Sequence, residues 1–302
     1  DRVVGYRNFI TKISNANNFL KLNQCSYKKS INTKKTQLKI NQWIYNEFGK
    51  TINLVNKNIE EFRFDEASKV IYKFVWGSFC DWYLEFLKPI FGSKDKRAKE
   101  EAYSFASYMF MNMLKLLHPF IPFFSEHMWK DNKFDKFLKT DLITSSWPDL
   151  KNNTSFNKNS NEIENLIEII QSIRSTKVQL NIPPKEYCDI IYFDESKKTK
   201  IIINNNIDII KQVGRVNKLI QNLSSNKNII QIVILNEKIG LKFQTEIDLT
   251  SQKTTLVNKH NEIDKKINAL ISKLNNQNYI KKAPKDIVLN DKKLLGDLRI
   301  EQ

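Results

Sequence analysis

The chain holds 302 residues, 41% of them hydrophobic, with 7 glycines and 7 prolines. Two or three domains with real cores are expected, and the shortage of turn formers favours long helices over a turn-rich β architecture. The formal charge of +16, from 49 Lys and Arg against 33 Asp and Glu, favours a polyanionic partner. Lysine, asparagine and isoleucine saturate the whole length, as an AT-biased genome would produce, so part of that excess carries no functional message. No apolar run approaches the roughly 18 residues of a membrane span, so no membrane association is expected. Cys25, Cys80 and Cys188 are odd in number and far apart, which argues against a disulfide framework or a zinc knuckle. A reducing cytoplasm is the expected compartment. The chain starts at Asp1, shows no secretory leader pattern, and reads as a piece of a longer protein.

Residues 1 to about 130 read as helices. Ile44, Phe48, Ile52, Val55, Ile59 and Phe62 recur at three- and four-residue steps, one face of a helix. A second run starts with Phe64, Ala67, Ile71 and Phe74, continues through Trp82 and Phe86, and should close at Pro89. Residues 95–118 form a further helix with Ala102, Phe105, Met109 and Leu116 inward, broken at His118-Pro119. Short links between long amphipathic helices imply a bundle. The loop near residues 24–37 is basic, with Lys28, Lys29, Lys34 and Lys35, and Lys39 just beyond it. Residues 149–161 have the composition of a linker.

A helix over 162–178 ends before Pro183-Pro184. A strand over Tyr187–Phe193, a helix near 199–213, and β-like runs at 218–222, 229–235 and 239–243 make a small α/β unit. In the last 55 residues Leu256, His260, Ile263, Ile267, Leu270 and Leu274 alternate steps of four and three, a heptad seam that wants a partner. Asn275 to Asn278 supply a turn, and Pro284 suits the first turn of a second helix carrying Ile287, Val288, Leu294, Leu295 and Leu298. The first arm of this hairpin spans about 25 residues, roughly 37 Å. The fold class is therefore mainly α: a bundle over 1–148, an α/β junction over 149–248 and a coiled-coil arm over 249–302.

Catalytic signals are absent. His118 and His127 stand nine apart, whereas a metal pair on a helix wants four, so core or helix-end roles fit better and no metal is expected. Cys80 has no neighbouring His to activate it and reads as a packed thiol. No glycine-rich phosphate loop appears. Trp76, Phe79, Trp82, Tyr83 and Phe86 crowd one helix and are mostly core, yet RNA readers also stack unpaired bases on such side chains. Bundle, basic loop and basic coiled coil together make RNA a plausible partner.

The run Arg7-Asn8-Phe9-Ile10-Thr11-Lys12-Ile13-Ser14-Asn15-Ala16-Asn17-Asn18-Phe19 resembles R-N-F-x-N-K-L-W-N-A-x-R-F, which opens the anticodon-binding bundle of the valyl-tRNA synthetase family. Phe64 to Pro89 resembles that family's F-x-x-A…VW-x-x-F-C-D-W-Y-L-E-x-x-K-P. Leu117 to Phe123, followed by Glu126 and Trp129, matches L-H-P-F-M-P-F…E-x-x-W, and Ser146-Trp147-Pro148 ends the bundle. Ile173-Arg174 with Asn181-Ile182-Pro183-Pro184 resembles the family's junction, and Tyr279 to Pro284 resembles F-x-x-K-A-P between the arms of its coiled coil. Arg-Asn-Phe and His-Pro-Phe recur across the Ile, Leu, Val and Met enzymes. The Phe-Cys-Asp-Trp-Tyr-Leu-Glu run and the terminal coiled coil are more specific. Ser14 stands where the family usually has Trp, and Asn18 where it usually has Arg.

The resemblance implies the tRNA-recognition part of an enzyme that joins valine to tRNA(Val) with ATP. It implies Phe19 stacked on an anticodon base, with Leu84 and Glu85 opposite and Lys12 and Asn15 as further candidates. It places the coiled coil along the outer corner of the tRNA, where Lys265, Lys266, Lys273, Lys281, Lys282, Lys292 and Lys293 would meet phosphates, with Lys253 and Lys259 on the same outward sides. The family's His-x-Gly-His and Lys-Met-Ser-Lys-Ser signatures and its editing domain are missing, so this part should hold no cofactor and perform no catalysis, ATP belonging to the whole enzyme. A monomer is expected. Two other readings stay open: the equivalent part of an Ile, Leu or Met synthetase, and a helical scaffold whose coiled coil binds protein.

Overall fold

The computed structural model describes residues 2–27, 32–149, 154–193, 197–221, 229–243, 249–276, 279 and 285–301. They form two compact units. One comprises Asp1–Val178 and Pro183–Lys242, the other Gln179–Ile182 and Phe243–Gln302.

The first unit opens with α1 (Arg2–Leu22), α2 (Lys39–Glu60) and α3 (Phe64–Lys73). Ile44, Phe48, Ile52 and Val55 of α2 are buried as their spacing requires. The N-terminus of α2 has no cap of its own. Glu101 provides one from α5 (Lys96–Leu117): its carboxylate accepts from the Gln37 and Leu38 amides at 3.0 and 2.9 Å, from Asn41 Nδ2 at 2.9 Å and from Thr36 Oγ1. A negative charge there also meets the positive end of the helix dipole. α5 starts on Asp95, which accepts from the Arg97 and Ala98 amides, and buries Ala102, Phe105, Met109 and Leu116. At its end His118 Nδ1 lies 2.9 Å from Ser125 Oγ in α6 (Pro122–Asp131), the helix-end role expected of it.

Two corrections concern the helix after residue 64. It does not stay α-helical. Phe74–Tyr83 is a π-helix between α3 and α4 (Leu84–Gly92). Bonds from i to i+5 stack residues five apart, so Phe74 with Phe79, and Val75 with Cys80, share the buried face. Nor does Pro89 close it: the helix runs on to Gly92. Proline deletes one ladder hydrogen bond, but its own φ suits the helix and the residues after it can keep helical angles.

The short α7 (Phe134–Leu138) completes the bundle, and α8 (Asn157–Gln179) leads on. Part of the stretch with linker composition is docked. Phe156 is buried with its ring 6.0 Å from Tyr45, and Asn159 donates to Gln42 at 2.6 Å. A four-stranded sheet follows, built from β1 (Cys188–Tyr192), β2 (Val216–Gln221), β3 (Ile229–Ile234) and β4 (Glu237–Phe243) in the order β2-β1-β4-β3. β1 and β2 pair parallel, β3 and β4 antiparallel. The helix expected near 199–213 is two, α9 (Lys197–Asn205) and α10 (Ile207–Val213). They break at Asn206, whose amide donates to the Ile202 carbonyl at 2.9 Å and to Glu162 at 2.8 Å, competing with the helical ladder. α10 packs on α4.

In the second unit α11 (Leu249–Asn275) packs against α12 (Lys285–Glu301). Ile263 and Ile267 are buried, and Leu270 and Leu274 half-buried. His260, expected in the seam, is exposed and lies 3.4 Å from Asp264, because an imidazole reaching water loses nothing by turning out. On α12 the inward positions are Val288, Asp291, Leu295 and Leu298, while Ile287 and Leu294 are exposed. Asp291 takes a seam position because Lys273 at 2.8 Å and the Tyr279 hydroxyl at 2.7 Å satisfy its carboxylate. No helix among the described residues is long and apolar enough to cross a membrane.

Candidate nucleic-acid interface

α1 runs alongside the α3–π–α4 helix in the same chain direction. Phe9 stacks on Tyr72 at 4.8 Å near the start, and Phe19 stacks on Phe91 at 5.9 Å near the end. Between these pairs Lys12 of α1 meets Asp81, and Lys88 of α4 meets Phe19.

Phe19 is half-buried, with Lys88 Nζ 6.0 Å from its ring centroid. Glu85 faces Lys88 at 2.5 Å, one turn away on α4. Lys12 pairs with Asp81 at 2.6 Å and sits 5.0 Å from the Trp76 ring centroid. The π-helix makes this possible. Trp76 and Asp81 are five apart, so they stack on one face there, whereas α-helical geometry would turn them well away from each other. Asn15 is exposed on α1. Leu84 is buried, 6% exposed, and belongs to the core, not to the surface that could meet a base. Ser14 turns its hydroxyl back to the Ile10 carbonyl at 3.1 Å, and Asn18 is exposed.

Thus Phe19 and Glu85 share Lys88 as a neighbour, Lys12 sits further up the same α1 seam against Asp81 and Trp76, Asn15 is exposed on that helix, and Leu84 is buried. Sequence reading left out Asp81, Lys88 and Phe91, although the first two lie inside the quoted Phe64–Pro89 run. Near the end of α1, Asp131 accepts from Asn17 at 2.8 Å and from Lys21 at 2.7 Å, and these bonds, Lys21 first, hold its carboxyl below the usual range. This network fixes α1 against α6.

On the second unit Lys265, Lys266, Lys292 and Lys293 are exposed. Lys273 is engaged: besides Asp291 its ammonium lies 4.7 Å from the Tyr279 ring centroid, and Asp291 leads the causes that raise its pKa. Lys281 and Lys282 lie outside the described residues, as do Lys28 and Lys29 and the side chains of Lys34, Lys253, Lys259 and Leu256. Among the described residues no group of three His, Cys, Asp or Glu is placed to hold a metal ion.

Residues 41–192, half of the chain, match the family model of the anticodon-binding domain of tRNA ligase. The chain belongs to that family. The anticodon-binding family match covers α2 through β1 and so includes α4 with Glu85 and Lys88. Among curated relatives, a valine–tRNA ligase of Pelagibacter ubique is 38% identical over 301 residues, 99% of this chain and 34% of the relative. A valine–tRNA ligase of Rhizobium meliloti is 31% identical over 305 residues, 100% of this chain and 32% of the relative, and one of Agrobacterium fabrum is 29% identical over 303. The chain spans about a third of the length of these relatives.

Proposed function

We propose that this anticodon-binding chain is the tRNA-recognition part of a valine–tRNA ligase that joins valine to tRNA(Val) with ATP in the cytoplasm. The observation that carries the reading is the match to valine–tRNA ligases along 99% of the chain, which takes in α1 and the coiled coil as well as the anticodon-binding domain. The seam between α1 and α4 supports it. One half-buried aromatic ring, Phe19, offers a stacking face, and paired charges at Lys12, Asp81, Glu85 and Lys88 offer donors and acceptors for base edges. Asn15 lies beside them, and Leu84 packs behind.

The labour divides by position. The bundle over 1–148 reads the anticodon, the arm over 249–302 meets the tRNA body through its lysines, and the α/β part over 149–248 joins them. The two signature motifs of adenylate formation are absent from this sequence, so catalysis, and with it ATP, belongs to the rest of the enzyme. The test compares the affinity of the chain for a valine tRNA transcript with that for heparin at matched salt. Clear preference for the tRNA is expected. Equal affinity would reduce the interaction to charge and sink the reading.

A further inference from the structure

A basic, aromatic shoulder lies beside the helix that carries Asp81 and Glu85. Arg174 of α8 sets its guanidinium 5.1 Å from the Trp82 ring centroid and donates from Nη2 to the Val213 carbonyl at 3.1 Å. Arg215, just before β2, lies 5.8 Å from the ring centroid of Tyr187, which is itself exposed. Lys177, one turn beyond Arg174, is buried and donates to the Glu186 carbonyl at 2.7 Å. These three cations repel one another: Arg215 pushes the pKa of both Arg174 and Lys177 down, adding to the larger effect of partial burial. Among the described residues no carboxylate stands within ion-pair distance of Arg174 or Arg215. Glu85, beyond ion-pair distance, acts on Arg174 more strongly than Arg215 does, and Asp81 acts in the same direction as Glu85.

Arg174 and Arg215 therefore keep N–H donors that no carboxylate among the described residues takes up at ion-pair distance. Trp82, under Arg174, precedes Glu85 by one turn on the same helix, so the shoulder begins about 5 Å along the axis from Glu85. A guanidinium laid on an aromatic face is held in place and keeps several N–H groups for a planar, two-point grip on phosphate. We propose that Arg174 and Arg215 bind backbone phosphates of the same RNA strand whose bases meet the seam between α1 and α4. The inference rests on the function proposed above and adds a second contact to it. Phosphate contacts contribute affinity and register but no base preference.

The test uses the full 302-residue chain and two probes: the anticodon stem-loop of valine tRNA and the same stem-loop with a changed anticodon. The variants are Arg215→Gln and Arg215→Glu. The Arg215 side chain supports no other element through an ion pair, so both should melt with the parent. Arg215→Gln is expected to weaken both probes roughly two- to fivefold, the range of an exposed ion pair. It should also lower the slope of log affinity against log salt by about 0.7. Arg215→Glu should do more of both, and the ratio between the two probes should stay constant. Folded variants with unchanged affinity and slope would overturn the proposal and point to a protein contact. A changed ratio would overturn it too, since it means base reading. If the parent chain binds neither probe, the functional reading itself has failed, a result distinct from a silent arginine.

Discussion

Truncating Phe19 separates recognition from packing. Its ring leans on Phe91 at 5.9 Å with planes 28° apart, and Lys88 stands over it at 6.0 Å. Losing one such aromatic pair costs folding about 0.5–1.5 kcal/mol beyond the apolar area that the half-buried ring gives up. Phe19→Ala should therefore lower the melting temperature by a few degrees and leave the fold intact. A base stacked on that ring is worth about 1–3 kcal/mol, so tRNA affinity should fall roughly 5- to 150-fold. Discrimination between the valine anticodon and altered ones should shrink with it. Phe19→Leu sharpens the argument: it keeps most of the bulk against Phe91 but removes the flat ring, so it should melt close to the parent and still bind poorly. The assay is fluorescence titration of labelled tRNA transcripts beside thermal melts. If both variants melt lower yet keep affinity and the anticodon ratio, Phe19 is a packing residue and the seam between α1 and α4 is not where bases are read.

Lys12→Met should shift the melting temperature by no more than a degree or two, because its partly exposed pair with Asp81 is worth only about 0.2–1 kcal/mol, yet it should weaken tRNA binding in the same titration. Glu101→Gln puts an amide donor among the amides that cap α2, and should cost about 1–3 kcal/mol in urea melts while sparing the anticodon ratio. Replacing Lys265, Lys266, Lys292 and Lys293 together by Gln should lower the salt slope by roughly 0.7–0.9 for each lysine that meets a phosphate, weakening all tRNAs alike. An unchanged slope would favour a protein partner for the coiled coil. Burial pushes the Cys25 and Cys80 thiols up to about 12 and Cys188 to about 11, so the reactive thiolate is scarce well above neutral pH. Native chain should react with a disulfide reagent at pH 8 far more slowly than unfolded chain.

Periodicity made much of the first unit legible. A step of 3.6 residues places Ile44, Phe48, Ile52 and Val55 inward whatever surrounds them, and they are inward. The π-helix was not legible that way, since a pattern sought at 3.6 cannot register the step of five from Phe74 to Phe79. That blind spot hid the seating of Lys12 between Trp76 and Asp81, which depends on the same step. The break at Asn206 and the docking of Phe156 were missed for another reason. The asparagine-rich 149–161 stretch reads as linker although Asn159 holds Gln42, and the 199–213 stretch reads as one helix because spacing does not show that the Asn206 amide takes Glu162 and the Ile202 carbonyl. In the arm, listing the apolar residues of α12 did not say which of them face inward, and Ile287 and Leu294 turn out. The inward row contains Asp291, because a charge is tolerated there once Lys273 and Tyr279 satisfy it. Phe19, Glu85 and Lys12 were legible only through family likeness; nothing in spacing alone marks them.

Footprinting shows where the tRNA lies on the chain. Valine tRNA bound to the full chain is probed nucleotide by nucleotide with a reagent that cleaves exposed backbone. Protection of the anticodon loop is expected, lost with Phe19→Ala, together with separate protection at the outer corner, lost with the four-lysine variant. Weak protection spread evenly along the tRNA, or a protected corner beside a fully exposed anticodon loop, would contradict that placement.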